Sequence, residues 1–130
     1  MSAARKLDSV RVNTQELQGL ALDWAVGLAQ RLPITFDIAN RCVRFNLLST
    51  REKYSPSTDW RAGGALLVEH DVCFNSLDCE ALGLSGYVAY SKRDPMTAMS
   101  GTTHLEAACR LIVLRSIGET MEIPAMVMQA

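Results

Sequence analysis

The stretch Tyr54-Ser55-Pro56-Ser57-Thr58-Asp59-Trp60 sets two aromatic rings, three serine or threonine hydroxyls and a carboxylate ahead of an apolar helical pattern. Pro56 fixes the arriving chain, Ser57 is the expected N-cap, and Asp59 falls in the first turn, where the helix dipole favours a carboxylate. Beyond it, Trp60, Leu67 and Val68 mark an apolar side that runs toward His70. Gly63-Gly64 interrupts that helix at about 1 kcal/mol per glycine relative to alanine. A pair placed there implies that something packs close to the backbone. Read this way, residues 54–60 are the start of a helix locked against a sheet-backed interior, and the fold follows from it.

Upstream, Val10-Arg11-Val12 alternates as a short edge strand. Asn13-Thr14-Gln15-Glu16 has the pattern of a capping box, so a helix is predicted from there, with Leu17, Leu20, Ala21, Trp24, Leu28 and Leu32 as its apolar stripe and Pro33 as its end. Gly19, Asp23 and Gly27 form a row of small or short side chains opposite, expected to be a solvated face; the other reading is a shallow groove that a second backbone approaches. Residues 34–38 and 42–45 alternate with period two around Asn40, which suits a tight turn, and predict a hairpin with Asp37 and Arg44 exposed. Leu47 to Ser55 reads as a polar loop.

Downstream, Val72-Cys73-Phe74 and Gly86 to Tyr90 read as strands joined by an acidic, turn-rich connection. Asp94-Pro95 and Ser100-Gly101 are turn punctuation. Thr103-His104-Leu105-Glu106 is a second capping box, and Glu106 to Arg110 is a favourable i, i+4 pair. Leu105, Ala108, Cys109, Ile112 and Val113 cover one side of that helix while Ala107, Leu111 and Leu114 cover much of the other, the pattern of a buried helix. Gly118 is its expected C-terminal cap, and Met121 to Ile123 a last strand ended by Pro124. The sum is α+β: about three helices on a mainly antiparallel sheet of four to five short strands. Residues 1–9 are expected to form a flexible N-terminus, 10–124 one domain, and 125–130 an apolar tail.

The 130 residues are 48% apolar and 21% charged, with thirteen Lys and Arg against fourteen Asp and Glu for a net charge of −1. That balance fits a soluble globular domain and gives no global field for nucleic acid or an anionic membrane. No apolar run reaches the roughly 20 residues of a membrane span, and nothing resembles a secretion signal, so a cytoplasmic address is expected. The four cysteines (Cys42, Cys73, Cys79 and Cys109) form no C-x-x-C pair and no zinc spacing, so structural thiols and no metal are expected. No phosphate-binding loop, dinucleotide fingerprint, nucleophile elbow or zincin motif occurs. A hydrolytic triad of Ser57, His104 and Asp59 is conceivable only if the fold brings them together. Arg41, Arg44, Arg51, Lys53 and Arg61 cluster locally and read as solvated loop charges.

The candidate site is therefore Tyr54, Ser57, Thr58, Asp59 and Trp60, with Asp23 and His104 as neighbours. An aromatic platform beside convergent polar groups suits a base, a sugar or a partner side chain, although Asp59 repels a phosphate from the helix amides. Equally, each of these residues can serve the fold alone, by capping a helix, complementing its dipole or filling the core.

Three blocks carry a resemblance: Leu20 to Val26, YSPSTDWRAGG at 54–64, and THLEAACRLIVLRSIGETMEIP at 103–124. Together they resemble the phage NinX-like family of small uncharacterised bacteriophage and prophage proteins, and more distantly phage domains of the α-β-α sandwich type. The departures are Ala65-Leu66-Leu67 where relatives carry Pro-Ile-Ile, Tyr87 where they carry Trp, and the absence of a Pro near His104. The resemblance implies origin and helices on a sheet, and it supplies no catalytic or cofactor residues. The expected function is a phage accessory protein that binds a host or phage macromolecule without turnover, in the host cytoplasm. A protein partner is expected and nucleic acid is not. A small molecule, nucleotide-like, is the alternative occupant of the 54–60 segment, an unrecognised enzyme a third reading. Met126 and Met128 in the tail offer a contact for a homo-oligomer.

Overall fold

A computed structural model describes residues 8–47, 50–79 and 84–130. The order of elements is β1 (Ser9–Asn13), a 3-10 turn (Thr14–Glu16), α1 (Gly19–Ala29), β2 (Ile34–Asp37), β3 (Cys42–Leu47), β4 (Thr50–Lys53), α2 (Trp60–Glu69), β5 (Val72–Cys79), β6 (Leu84–Ser91), β7 (Asp94–Gly101), α3 (His104–Ser116), β8 (Thr120–Pro124) and α4 (Ala125–Met128). The architecture is α+β, with three longer helices. The strands divide among three small antiparallel sheets, β1-β8, β2-β3-β4 and β5-β6-β7. The acidic connection predicted between the central strands shortens, because β5 runs to Cys79 and β6 begins at Leu84, and its centre at 80–83 lies outside the described residues. Most of the predicted N-terminal segment, at 1–7, lies outside them too.

α3 is the axis. Leu105, Ala107, Ala108, Cys109, Arg110, Leu111, Ile112 and Val113 are all buried. Cys109, Ile112 and Val113 face a larger core built with Leu17, Leu22, Val26, Val43, Tyr54, Ile123 and Val127. Ala107, Ala108 and Leu111 face a smaller one built with Ala89 and Met99 of the β5-β6-β7 sheet. The helix apolar on both sides is thus sandwiched, as its sequence requires. Its N-cap is the predicted Thr103, whose Oγ1 accepts from the Glu106 N–H at 3.1 Å, while the return bond falls one residue before the cap, the Glu106 carboxylate accepting from the Thr102 N–H at 2.9 Å.

Within that apolar sandwich Arg110 is charged and 8% exposed. Its Nε donates to the Leu17 carbonyl and its Nη1 to the Ser100 carbonyl, each at 2.8 Å, and Glu106 lies 3.3 Å from Nη1. The guanidinium fork thereby ties the approach to α1, the end of β7 and the start of α3. Close backbone contact assists: a Cβ on Gly101 would stand 2.5 Å from the Ala107 nitrogen, so only glycine lets β7 meet α3 here.

Several local expectations give way to tertiary contacts. Asn13 ends β1 and makes no side-chain cap; Thr14 instead donates its hydroxyl to the Gly118 carbonyl at 2.6 Å, and α1 starts at Gly19. The Gly19–Asp23–Gly27 row is a solvated face only at Gly19, which is exposed with nothing within 4 Å of a Cβ placed there. Asp23 and Gly27 are buried, and a Cβ on Gly27 would stand 2.7 Å from Ile34 Cγ2. Leu28, placed on the core stripe by periodicity, is exposed. In the hairpin, Arg41 takes the positive φ (50°), while the Asn40 N–H and side-chain amide donate to Asp37. Asp37 and Arg44 pair at 2.8 Å. Asn40 first, and then Arg44, hold the Asp37 carboxyl well below the usual carboxylate range. The predicted loop at 47–55 contains β4, and the turn-rich stretch at 94–101 is β7; the polar side chains of both mislead because both are edge strands. Pro95 is tolerated at such an edge, where no ladder donor is needed. The tail packs back as α4, with Val127 in the core. No described helix is long and apolar enough to cross a membrane.

Two contrasting substitutions test the packing at α2. A Cβ on Gly63 would stand 2.5 Å from the Pro56 carbonyl and 2.6 Å from Leu105 Cδ2, whereas on Gly64 it meets only Trp60 Cε3 at 3.8 Å. Gly63→Ala is expected to lower stability by about 1–3 kcal/mol and Gly64→Ala to raise it by up to about 1 kcal/mol, read from urea midpoints. Arg110→Ala strands two carbonyls and Glu106, with an expected loss of about 3–5 kcal/mol on the same scale.

Candidate functional site

The chain at 54–60 is held from beneath. Tyr54 is 7% exposed, donates its N–H to the Val43 carbonyl at 2.7 Å and meets Phe45 edge to face at 5.6 Å. Burial pushes its phenol pKa up. The Ser57 N–H donates to Asp23 Oδ1 at 2.9 Å, so the buried carboxylate of α1 anchors the turn before α2. The Ser57 hydroxyl is buried with no hydrogen-bond partner among the described residues. Burial pushes the Asp23 carboxyl up to about 6, against the opposing pull of Ser57 and the Lys53 charge. Ser57 is therefore not the cap of α2. The cap is Asp59, whose Oδ1 accepts from the Arg61 N–H at 2.9 Å, two residues later than the sequence pattern places it.

Above this anchor, the starts of α2 and α3 and the middle of β6 enclose a cleft of about 440 Å³ lined by Ser57, Thr58, Trp60, Tyr87, Thr102, Thr103, His104 and Leu105. His104 stacks on Tyr87 with ring centroids 3.7 Å apart and 26° from parallel. Phe74 meets it edge-on at 4.9 Å, and Trp60 stands 6.3 Å away, tilted by 52°. Trp60 is 56% exposed, so most of its indole is left to solvent at the rim. Threonine hydroxyls complete the mouth. Thr103 Oγ1 already accepts from Glu106, and Thr102 Oγ1 donates to the Glu106 carboxylate at 3.2 Å.

Four of the seven residues singled out by sequence, Ser57, Thr58, Trp60 and His104, line one cleft. Asp23 supports it through Ser57, and Asp59 closes the end of α2 beside it. Tyr54 does not join them; it is a core residue of the α1 side. Trp60 does not fill the core, because Gly63, not the ring, seats α2 on Leu105. The residues that sequence reasoning missed are Tyr87, Phe74, Thr102 and Thr103. Tyr87 lies in a recognised strand and Thr103 in a recognised cap, but only the register of β6 against β7, with Tyr87 opposite Gly101, brings them to Trp60.

Among the described residues no group of three His, Cys, Asp or Glu side chains is placed to hold a metal ion. Cys42, Cys73 and Cys109 are free thiols, and burial pushes the Cys109 thiol pKa up, away from reactivity. His104 is held by ring contacts, Asp59 is engaged with Arg61, and the Ser57 hydroxyl has no partner among the described residues, so the conceivable triad is not assembled.

Residues 13–116 match the protein family described as Bacteriophage P22, NinX. No curated protein matches the chain.

The Asp23 anchor has a pH signature. Its folded pKa, about 6, exceeds the ordinary 3.8, so the fold binds the proton more tightly than the unfolded chain does. The resulting stabilisation is full below pH 3.8 and is lost as pH rises through about 6. Asn at this position keeps an acceptor for the Ser57 N–H and has no charge to bury. The expected result is that wild type loses stability relative to Asp23→Asn between these pH values, followed by urea denaturation; parallel profiles would refute the assignment.

Proposed function

The chain belongs to the phage P22 NinX family, and we propose that it acts by binding, without turnover, through the cleft between Trp60 and His104. The observation that carries this reading is the exposed indole of Trp60 at the mouth of a cleft whose far wall is the stacked His104–Tyr87 pair. An indole left in water beside a concave surface is the residue type that dominates binding energy at interfaces. The rigid support beneath it, Asp23 on Ser57 and Asp59 on Arg61, keeps the site pre-formed, which limits the ordering cost of association. Non-catalytic action is favoured because His104 is engaged through its ring faces and not, among the described residues, by a hydroxyl or carboxylate that would make it a base.

A phage or host protein in the cytoplasm is the partner we favour, with an aliphatic or aromatic side chain set against Trp60. Nucleic acid is disfavoured because no Lys or Arg is among the described residues that line the cleft. Met126 and Met128 are exposed on the C-terminal segment and offer a separate contact for a second copy. A small-molecule occupant is favoured by one specific observation, the volume of about 440 Å³, which falls within the usual range of ligand pockets.

A photo-activated cross-linker at Thr58, on the rim, is the direct test, with one at Met96, 91% exposed and outside the cleft, as control. Adducts with a discrete protein are expected from Thr58 only. Unlabelled wild type should compete for them, and Trp60→Ala should compete at least about tenfold less well, equivalent to about 1.4 kcal/mol. Equal competition by Trp60→Ala would sink the reading.

A further inference from the structure

Resting on the binding reading, we infer that the protein set against Trp60 is a second copy of this chain, laid antiparallel along the outer face of α2. The inner face of that helix is committed to the fold, with Leu66 in the larger core and Leu67 against the smaller one. Trp60, Arg61, Ala65, Val68 and Glu69 are exposed on the side turned to solvent, with Gly64 among them at helical spacing. Val68 is 80% exposed, a larger fraction than Trp60 itself. This face also holds a glycine that the fold does not need. Unlike Gly63, Gly64 has room for a Cβ, and glycine weakens a helix interior relative to alanine. With no side chain there, a second helix can come close to the backbone between Trp60 and Val68.

The charges of this face identify the occupant. Arg61 lies in the first turn of α2 and Glu69 is its last residue, each at the end where the helix dipole opposes it. Among the described residues neither has an ion-pair partner, and the Glu69 carboxylate accepts from the Gln30 amide at 3.3 Å. A surface with its cation at one end, its anion at the other and apolar residues between is complementary to its own copy about a two-fold axis. In an antiparallel pair the first turn of one helix lies level with the last turn of the other. Val68 of the second copy then covers the Trp60 indole, Glu69 of the second copy meets Arg61, and both contacts occur twice. The two dipoles run in opposite directions, so each charge also reaches a helix end that favours it. α2 has ten residues, about 15 Å of helix, so the contact is small and the pair is weak and reversible.

Sedimentation equilibrium of the full chain, at low salt and over a concentration series, tests this. A reversible monomer–dimer equilibrium is expected. Trp60→Ala and Val68→Lys should each weaken it at least about tenfold, since each loss is counted twice in a symmetric pair. Gly64→Ala, which the monomer accommodates, should weaken it at least about threefold. Arg61→Glu and Glu69→Arg each turn two attractions into two repulsions and should weaken self-association at least about fivefold. Mixed in equal amounts, these two charge reversals should pair with each other about as tightly as wild type pairs with itself. Both put on α2 the charge its dipole favours, and rescue by mixing excludes misfolding as the cause of the single losses. Absence of a dimer throughout the series, a dimer that any of these variants leaves unchanged, a mixture no tighter than either reversal alone, or a dimer lost to Met126→Lys and Met128→Lys but kept by Val68→Lys would each overturn the inference. If no dimer forms while Thr58 still cross-links a different protein in a Trp60-dependent manner, only this partner assignment fails and the binding reading stands. Cross-links indifferent to Trp60→Ala remove the binding reading itself.

Discussion

The Arg110 guanidinium, buried in the middle of an otherwise apolar helix, is the contact on which the remaining architecture rests. Burying a charge is costly unless it is paired and hydrogen-bonded, and here two backbone carbonyls and a carboxylate meet its Nε and Nη1. Those carbonyls belong to Leu17 and Ser100, so one side chain sets the distance of α1 and β7 from α3 at once. Its partner Glu106 also closes the α3 start through Thr102, and Thr102 and His104 are walls of the cleft. The geometry of the candidate site is therefore inherited from a polar network at the centre of the fold.

α3 divides the interior into two cores, and glycines allow the division to be narrow. With Ala107 and Ala108 on the helix and Gly101 on β7, the sheet and helix backbones approach without intervening bulk. Gly63 does the same for α2 against Leu105. Trp60, at the first position of α2, stays outside both cores and is 56% exposed. The cleft is the remainder of tight packing between three elements.

The sequence made the α+β class, α3 with its cap and doubly apolar faces, the β2–β3 hairpin and the last strand legible, because each depends on periodicity or on neighbours within four residues. It also singled out four of the eight cleft residues, through the density of aromatic and hydroxyl groups near a helix start. What it concealed is long-range. Ser57 looks like a cap until Asp23, 34 positions away, takes its N–H, and the capping role passes to Asp59. The Gly19–Asp23–Gly27 row looks solvated throughout until Ile34 covers Gly27 and the 54–60 turn covers Asp23, leaving only Gly19 of the three exposed. β4 and β7 are edge strands whose polar side chains and proline imitate loops. Tyr87 carries no local mark of function at all; it acquires one from strand register.

The pairing of β1 with β8 sets Ser9 opposite Pro124 and Asn13 opposite Thr120. Each strand lacks any other partner among the described residues. On a translating ribosome β1 waits through more than a hundred codons before its complement appears, and the large core cannot shut until then, since Val12 and Ile123 both belong to it. Closure of this core is accordingly timed by synthesis of β8, and a nascent chain stalled ahead of it would present an unzipped strand and an open interior to the chaperones around it.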